Sequence, residues 1–199
     1  RKKEVDASKS FSERNVNGQY STPFELARLM VGQVLRDYRC KEKADLGNIL
    51  EPACGSGVFL SALLAEPCVP RFTFTGVELD PAYAAICKSL FNDQNVNLIN
   101  GDFFAVSEQQ GIIPQANVLI ANPPYVRHHH IAYPYKVGLQ QRVLRELGIQ
   151  VSGLAGLYVY FILLADRLLH TGAVASWLIP GEFLYTNYGQ ALREYLLTR

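Results

Sequence analysis

Three features of this 199-residue chain predict an α/β fold built on a mostly parallel sheet. Short apolar runs alternate with stretches of helical length, the pattern of strands joined by crossover helices. A glycine turn, Gly55-Ser56-Gly57, follows the first run, at the point where open parallel sheets receive nucleotide-type ligands. An acidic residue, Glu78, closes the second run about twenty residues further on, where such sheets carry a ribose-binding carboxylate.

Taken in order, Arg1 to Gly18 is polar and mixed in charge and reads as a lead-in, so that residues 1–17 precede a domain at 18–199. Thr22 before Pro23 is a good N-cap with proline in the first helical turn. The helix runs from about Phe24 to Asp37, with Leu26, Leu29, Met30 and Val31 inward. Ile49-Leu50 begins the first strand, and Val58 to Leu64 is the helix after the glycine turn. Phe72 to Leu79, Val96 to Ile99 and Ala116 to Ala121 are the next strands, with a helix at Pro81 to Phe91. Lys136 to Leu147 reads as a helix outside the core, and Leu154 to His170 as a long buried one. Ala173 to Ile179 is a fifth strand, left as a sheet edge that invites self-association. Tyr188 to Leu197 is a closing helix.

Composition bounds the function. The apolar and charged fractions are those of a soluble globular domain. The greasiest run, Leu154 to Leu169, contains Asp166 and Arg167 and falls short of the roughly 20 residues of a membrane span. Cys40, Cys54, Cys68 and Cys87 have neither CxxC spacing nor a disulfide pattern, so reduced thiols in a cytoplasm are expected. His128-His129-His130 lacks a carboxylate or cysteine partner at ligand spacing, and no metal is expected there. Net charge is +1, yet Arg127, Lys136, Arg142 and Arg145 face only Glu146 between Tyr125 and Gln150. That local basic patch suits phosphates as readily as it suits a solvated loop.

The most informative stretch is Asn122-Pro123-Pro124-Tyr125, at the carboxyl end of the fourth strand. Two prolines fix φ and remove two backbone donors. An amide side chain, a carbonyl and a phenol ring are thus offered in one rigid turn. Such a set suits a planar group with an exocyclic NH2, giving two acceptors for its hydrogens and a ring for stacking. The glycine turn lies in Glu51-Pro52-Ala53-Cys54-Gly55-Ser56-Gly57, which matches neither GxGxxG nor a phosphate loop. Glu51 repels a pyrophosphate and attracts an ammonium or sulfonium, which points to a cationic cofactor such as S-adenosylmethionine. Glu78 is the candidate for the ribose, and Asp80 before Pro81 the candidate helix cap. Asp102 can accept an adenine amino group and Phe103 can cover that ring, although core packing is the usual fate of a Phe.

Thr22-Pro23, the EPACGSG turn from Glu51 to Gly57, Glu78, Asp102-Phe103 and Asn122 to Tyr125 occur in an order that resembles the amino-methylating DNA methyltransferases. The similarity is to the N6-adenine restriction–modification enzymes whose first motif precedes the glycine turn and whose target recognition domain follows the catalytic domain. It covers the chain from about Gly18 to Leu197. The NPPY element alone is shared with RNA and protein-glutamine methyltransferases; Gly18 to Pro23 together with EPACGSG is more specific. The resemblance implies a Rossmann-like class I S-adenosylmethionine-dependent methyltransferase fold. It implies Thr22, Glu51 and Ala53 at the methionine end of the cofactor, with Gly55 and Gly57 in its turn, Glu78 at the ribose, and Asp102 and Phe103 at the adenine. Asn122, Pro123 and Tyr125 then hold a flipped-out target adenine in DNA. The family's final strand hairpin, the aromatic on the base's other face and the recognition domain have no counterpart here, so a catalytic domain without its last parts is expected. A fragment that keeps only fold and cofactor site is the further alternative.

Overall fold

The computed structural model describes residues 20–41, 47–67, 71–92 and 95–198. The lead-in, Gly18-Gln19, Cys68 and the side chain of Cys40 lie outside the described residues. The elements are α1 (Phe24–Lys41), β1 (Gly47–Glu51), α2 (Val58–Leu64), β2 (Phe72–Glu78), α3 (Pro81–Leu90), β3 (Val96–Asn100), α4 (Phe103–Ser107), β4 (Ala116–Ala121), α5 (Tyr133–Leu147), α6 (Leu157–Ala165), β5 (Leu169–Trp177) and α7 (Gln190–Leu197). Two compact units divide at Asn122. The first holds Ser21–Asn122 and Leu168–Leu178; the second holds Tyr20, Pro123–Arg167 and the chain from Ile179 onward.

The first unit carries the five-stranded sheet, in the order β3-β2-β1-β4-β5. Every pairing is parallel. The order reverses between β1 and β4, and that switch point is where an open α/β sheet leaves its ligand crevice. Ile49, Phe74, Val118 and Ile120 pack with α1 and α2 residues in one core cluster. Leu50 and Leu119 are fully buried as well. Burial of successive residues is what a strand covered on both faces requires. β5 is an edge strand, and Leu178 N–H extends its ladder to the Ala121 carbonyl.

Two helix expectations change in this unit. The buried stripe of α1 is Ala27, Val31, Val34, Leu35 and Tyr38, a helical spacing. Leu29 is exposed, because it lies between the turns of that stripe. The helix starts at Phe24 as expected, but Thr22 does not cap it: Ala27 N–H bonds the Pro23 carbonyl, so Pro23 takes the position before the first turn. The Asp80 cap is as expected, its carboxylate accepting from Ala82 N–H at 2.9 Å with Pro81 in the first turn.

In the second unit α6 is buried from Tyr158 to Ala165 but stops there, well short of His170. Asp166 and Arg167 are the reason. Arg167 is exposed, and Asp166 accepts a 2.5 Å hydrogen bond from the Tyr195 phenol. The chain then enters β5 at Leu169, four residues before the expected start. α5 begins at Tyr133 and buries Leu139 and Val143, so it belongs to the core of its unit. No helix among the described residues is long and apolar enough to cross a membrane.

Candidate active site

The carboxyl ends of β1, β2 and β4 bring the acidic and amide candidates of the first unit together. Glu51 ends β1 at 1% exposure. Its Oε2 is buried with no hydrogen-bond partner among the described residues. Burial above all, then the nearby Cys87 and Glu78, hold its carboxyl well above the ordinary carboxylate range. A buried acid without a partner is costly to ionise, and a cation beside it reverses that cost.

The glycine turn follows directly. Gly55 (φ 54°) and Gly57 (φ 84°) both take the left-handed region, which only glycine enters without strain. Their surroundings differ. A Cβ at Gly57 would lie 2.5 Å from the Phe91 ring and 2.8 Å from Cys87 Sγ, whereas one at Gly55 meets nothing within 4 Å. Gly57 is therefore a packing glycine, and Gly55 presents bare backbone to open space. Cys54 and Cys87 are buried, unbridged thiols. Ala53 is half-buried in the same turn.

Glu78 ties this turn to the end of β2. One carboxylate oxygen accepts from Gly55 N–H at 2.8 Å and the other from Asp80 N–H at 2.7 Å. The Glu78 backbone carbonyl is held by Gly101 N–H and by the Asn100 amide, which fixes the end of β3 beside it. Asp102 accepts from Phe104 N–H at 2.9 Å and so caps α4. Phe103 is buried and packs edge-on to Phe104, as a core Phe does.

Asn122 continues β4, and its Nδ2 lies 2.9 Å from Oγ1 of Thr22, one hundred residues away in sequence. Thr22 is 6% exposed. The hydroxyl expected to cap α1 instead braces the Asn122 amide and turns its oxygen the other way. In the second unit, Pro123 is buried and Tyr125 half-buried. Desolvation pushes the Tyr125 phenol up to about 12, so it is neutral at physiological pH. The Val126 carbonyl accepts from Leu157 N–H, which anchors this turn to the start of α6.

Tyr20, which the sequence places in the Gly18-to-Pro23 motif without a role of its own, stacks on Tyr125 with ring centroids 5.8 Å apart and an interplanar angle of 29°. Its signal was an aromatic two residues before Thr22, the spacing that shares one side of an extended segment. The basic stretch fares differently. The Lys136 ammonium donates to the carbonyls of His128 and Gly153, and buried Arg142 pairs with Glu146 at 2.8 Å. Both serve the fold of their unit, and Arg127 is the exposed cation next to the NPPY turn. The three histidine rings pack on one another, and no group of three or more metal-ligating side chains occurs among the described residues.

An all-parallel sheet in the order β3-β2-β1-β4-β5, with a glycine turn after β1 and an acid at the end of β2, is a class I S-adenosylmethionine-dependent methyltransferase fold. A methyltransferase of that class from Listeria monocytogenes superimposes with a TM-score of 0.69 at 18% identity, over 91% of this chain and 53% of its own. The Eco57I restriction-modification methylase family matches residues 76–199, and the chain belongs to that family. It is 29% identical to the type II methyltransferase M.AccI of Acinetobacter calcoaceticus over 98% of its length and 34% of the relative's. It is 32% identical to M.XamI of Xanthomonas campestris pv. amaranthicola over 75% of its length and 28% of the relative's. The chain thus spans about a third of the length of these curated relatives. Fold and family together assign S-adenosylmethionine as the cofactor. The buried, unpartnered acid at Glu51 and the bare backbone at Gly55 fit a cationic group with a nucleoside attached.

Proposed function

We propose that this chain is the catalytic part of a DNA adenine-N6 methyltransferase of a restriction–modification system, acting on a flipped-out adenine. One observation carries the reading. The Asn122 amide is braced by buried Thr22 at the end of β4, directly before two prolines and a half-buried, neutral Tyr125.

Glu51, Ala53 and Thr22 would hold the methionine end of S-adenosylmethionine, Gly55 and Gly57 its turn, Glu78 the ribose, and Asp102 and Phe103 the adenine. When bound, the cofactor supplies an electrophilic methyl group on a sulfonium that leaves readily. The amino nitrogen of adenine is a poor nucleophile, because its lone pair is conjugated into the ring. Accepting its hydrogens at the Asn122 oxygen and the Pro123 carbonyl raises its electron density and aims it, which is positioning combined with electrostatic stabilisation. Tyr125 offers a neutral ring face for the base, and base–aromatic stacking of this kind contributes about 1–3 kcal/mol.

The test is methyl transfer from tritiated cofactor to DNA, tRNA and protein by the full-length protein, with mass analysis of the DNA nucleosides. N6-methyladenine is the expected product, and Asn122→Ala is expected to abolish it while cofactor binding persists. Label appearing in tRNA or protein instead of DNA, or wild-type-like transfer by Asn122→Ala, overturns the reading.

A further inference from the structure

We infer that Thr22 is a positioning residue whose hydroxyl decides which end of the Asn122 amide faces the target base, and that the cofactor primes the base site through that hydroxyl; this rests on the function proposed above. The two ends of an amide are alike in shape and opposite in chemistry, an acceptor oxygen and a donor nitrogen. Only Oδ1 can accept a hydrogen from an adenine amino group; the amide turned over would meet that group donor to donor. The structure holds the productive orientation, with Nδ2 engaged on Thr22 Oγ1 at 2.9 Å. Both partners ride on one packed core. Thr22 is 6% exposed and restricted to extended backbone by Pro23, whose carbonyl takes the Ala27 N–H at the start of α1. Ala27 and Val31 of α1 pack in the same cluster as Val118 and Ile120 of β4, the strand that Asn122 continues.

A hydroxyl both donates and accepts, so Thr22 alone does not commit the amide: with its proton turned toward Asn122, it bonds an amide that has flipped over. A second partner for that proton is what commits it, and among the described residues the hydroxyl has none. An ionised carboxylate accepts only, and the methionine end of S-adenosylmethionine carries one. Once a carboxylate takes the Thr22 proton, the hydroxyl faces Asn122 with lone pairs alone. Only Nδ2 can then bind it, and Oδ1 is left to the base. Cofactor and base are thereby coupled, each tightening the binding of the other by the same factor. The coupling is specific to a base that carries an amino group, because only that group needs the oxygen end.

The experiment uses the full-length protein, with its methylated position mapped on genomic DNA. Two labelled duplexes are compared by anisotropy, one with adenine at that position and one with purine, which lacks the amino group. Saturating S-adenosylhomocysteine, which keeps the carboxylate and has no methyl to transfer, is expected to tighten the adenine duplex about 5- to 20-fold more than the purine duplex. Its decarboxylated counterpart, also at saturation, is expected to leave that difference below about twofold. Thr22→Val, which keeps the shape and loses the hydroxyl, is expected to abolish the difference at saturating S-adenosylhomocysteine, and Thr22→Ser to keep most of it. Equal tightening of the two duplexes in the wild type, a full difference with the decarboxylated compound, or a full difference in Thr22→Val overturns the role of Thr22 while the function stands. If the wild type leaves adenine in DNA unmodified, the proposed function falls and this inference with it.

Discussion

At the amino end of β1, Asn48 is 8% exposed, and protein meets its amide from every side. Its nitrogen donates to the carbonyls of Pro114 and Gln115, and its oxygen accepts from the hydroxyls of Thr73 and Thr75. At the carboxyl end of the same strand, three residues on, Glu51 is 1% exposed, and its Oε2 has no partner among the described residues. Both side chains are polar and buried on one five-residue strand. The first is a closed network and serves the fold. The second is open at Oε2 among the described residues, where the proposed cofactor would complete it. A parallel sheet separates the two tasks by its polarity, since ligands collect at the carboxyl ends of its strands.

The largest expected effect bears on the ligand end. Asn122→Ala should lower methyl transfer by about 10³-fold or more, in the range seen when one preorganised polar group is removed, with cofactor affinity within about threefold by titration calorimetry. Next is Glu51→Gln, which should weaken cofactor binding about 10- to 100-fold while making the ligand-free protein more stable, by about 1–3 kcal/mol at neutral pH. The sign follows from the raised carboxyl pKa. The folded, ligand-free protein binds more protons here than the unfolded chain, so this group lowers stability as pH rises from the ordinary carboxylate range toward the raised value. Cofactor binding, which favours the ionised acid, tightens over the same rise. Thermal melts across pH with and without cofactor test both trends, and a flat profile in the wild type would break the comparison.

Asn48→Ala should act in the opposite sense, costing about 2–3 kcal/mol of stability by leaving two hydroxyls and two carbonyls without their partner. Cofactor affinity measured well below the melting point should not change. If Asn48→Ala impairs cofactor binding as strongly as Glu51→Gln, the two ends are not separate. The smallest effect is Gly55→Ala. Its left-handed backbone costs about 1–2 kcal/mol with alanine, and its Cβ meets nothing within 4 Å among the described residues. Any loss of cofactor affinity beyond the loss of stability then reports a ligand lying against that backbone.

Much of the carboxyl end was readable from local patterns. Glu51, the two glycines and Glu78 stand at the tips of apolar runs, and Asp80 before Pro81 is a cap whose geometry involves only its neighbours. The closed network around Asn48 was not readable, because its partners come from β2 and from the approach to β4, far along the chain. Leu29 was expected inward because it is apolar, yet the stripe through Ala27 and Val31 decides which face of α1 is covered. Likewise, Leu169 and His170 looked like the end of a helix until the strand beside β4 took them.

The sequence by itself determined the order of the five strands and of every helix but the short α4, the glycine turn with its acids, and the Asn122–Tyr125 turn. These depend on backbone sterics and apolar spacing within a few residues. Only the tertiary structure decided that Thr22 braces Asn122 across one hundred residues and that Tyr20 lies on Tyr125. It alone buried Glu51 with no hydrogen-bond partner for Oε2 among the described residues, while surrounding Asn48 with both donors and acceptors. Desolvation and hydrogen-bond completion depend on which distant segments pack together, and no local window of sequence contains that.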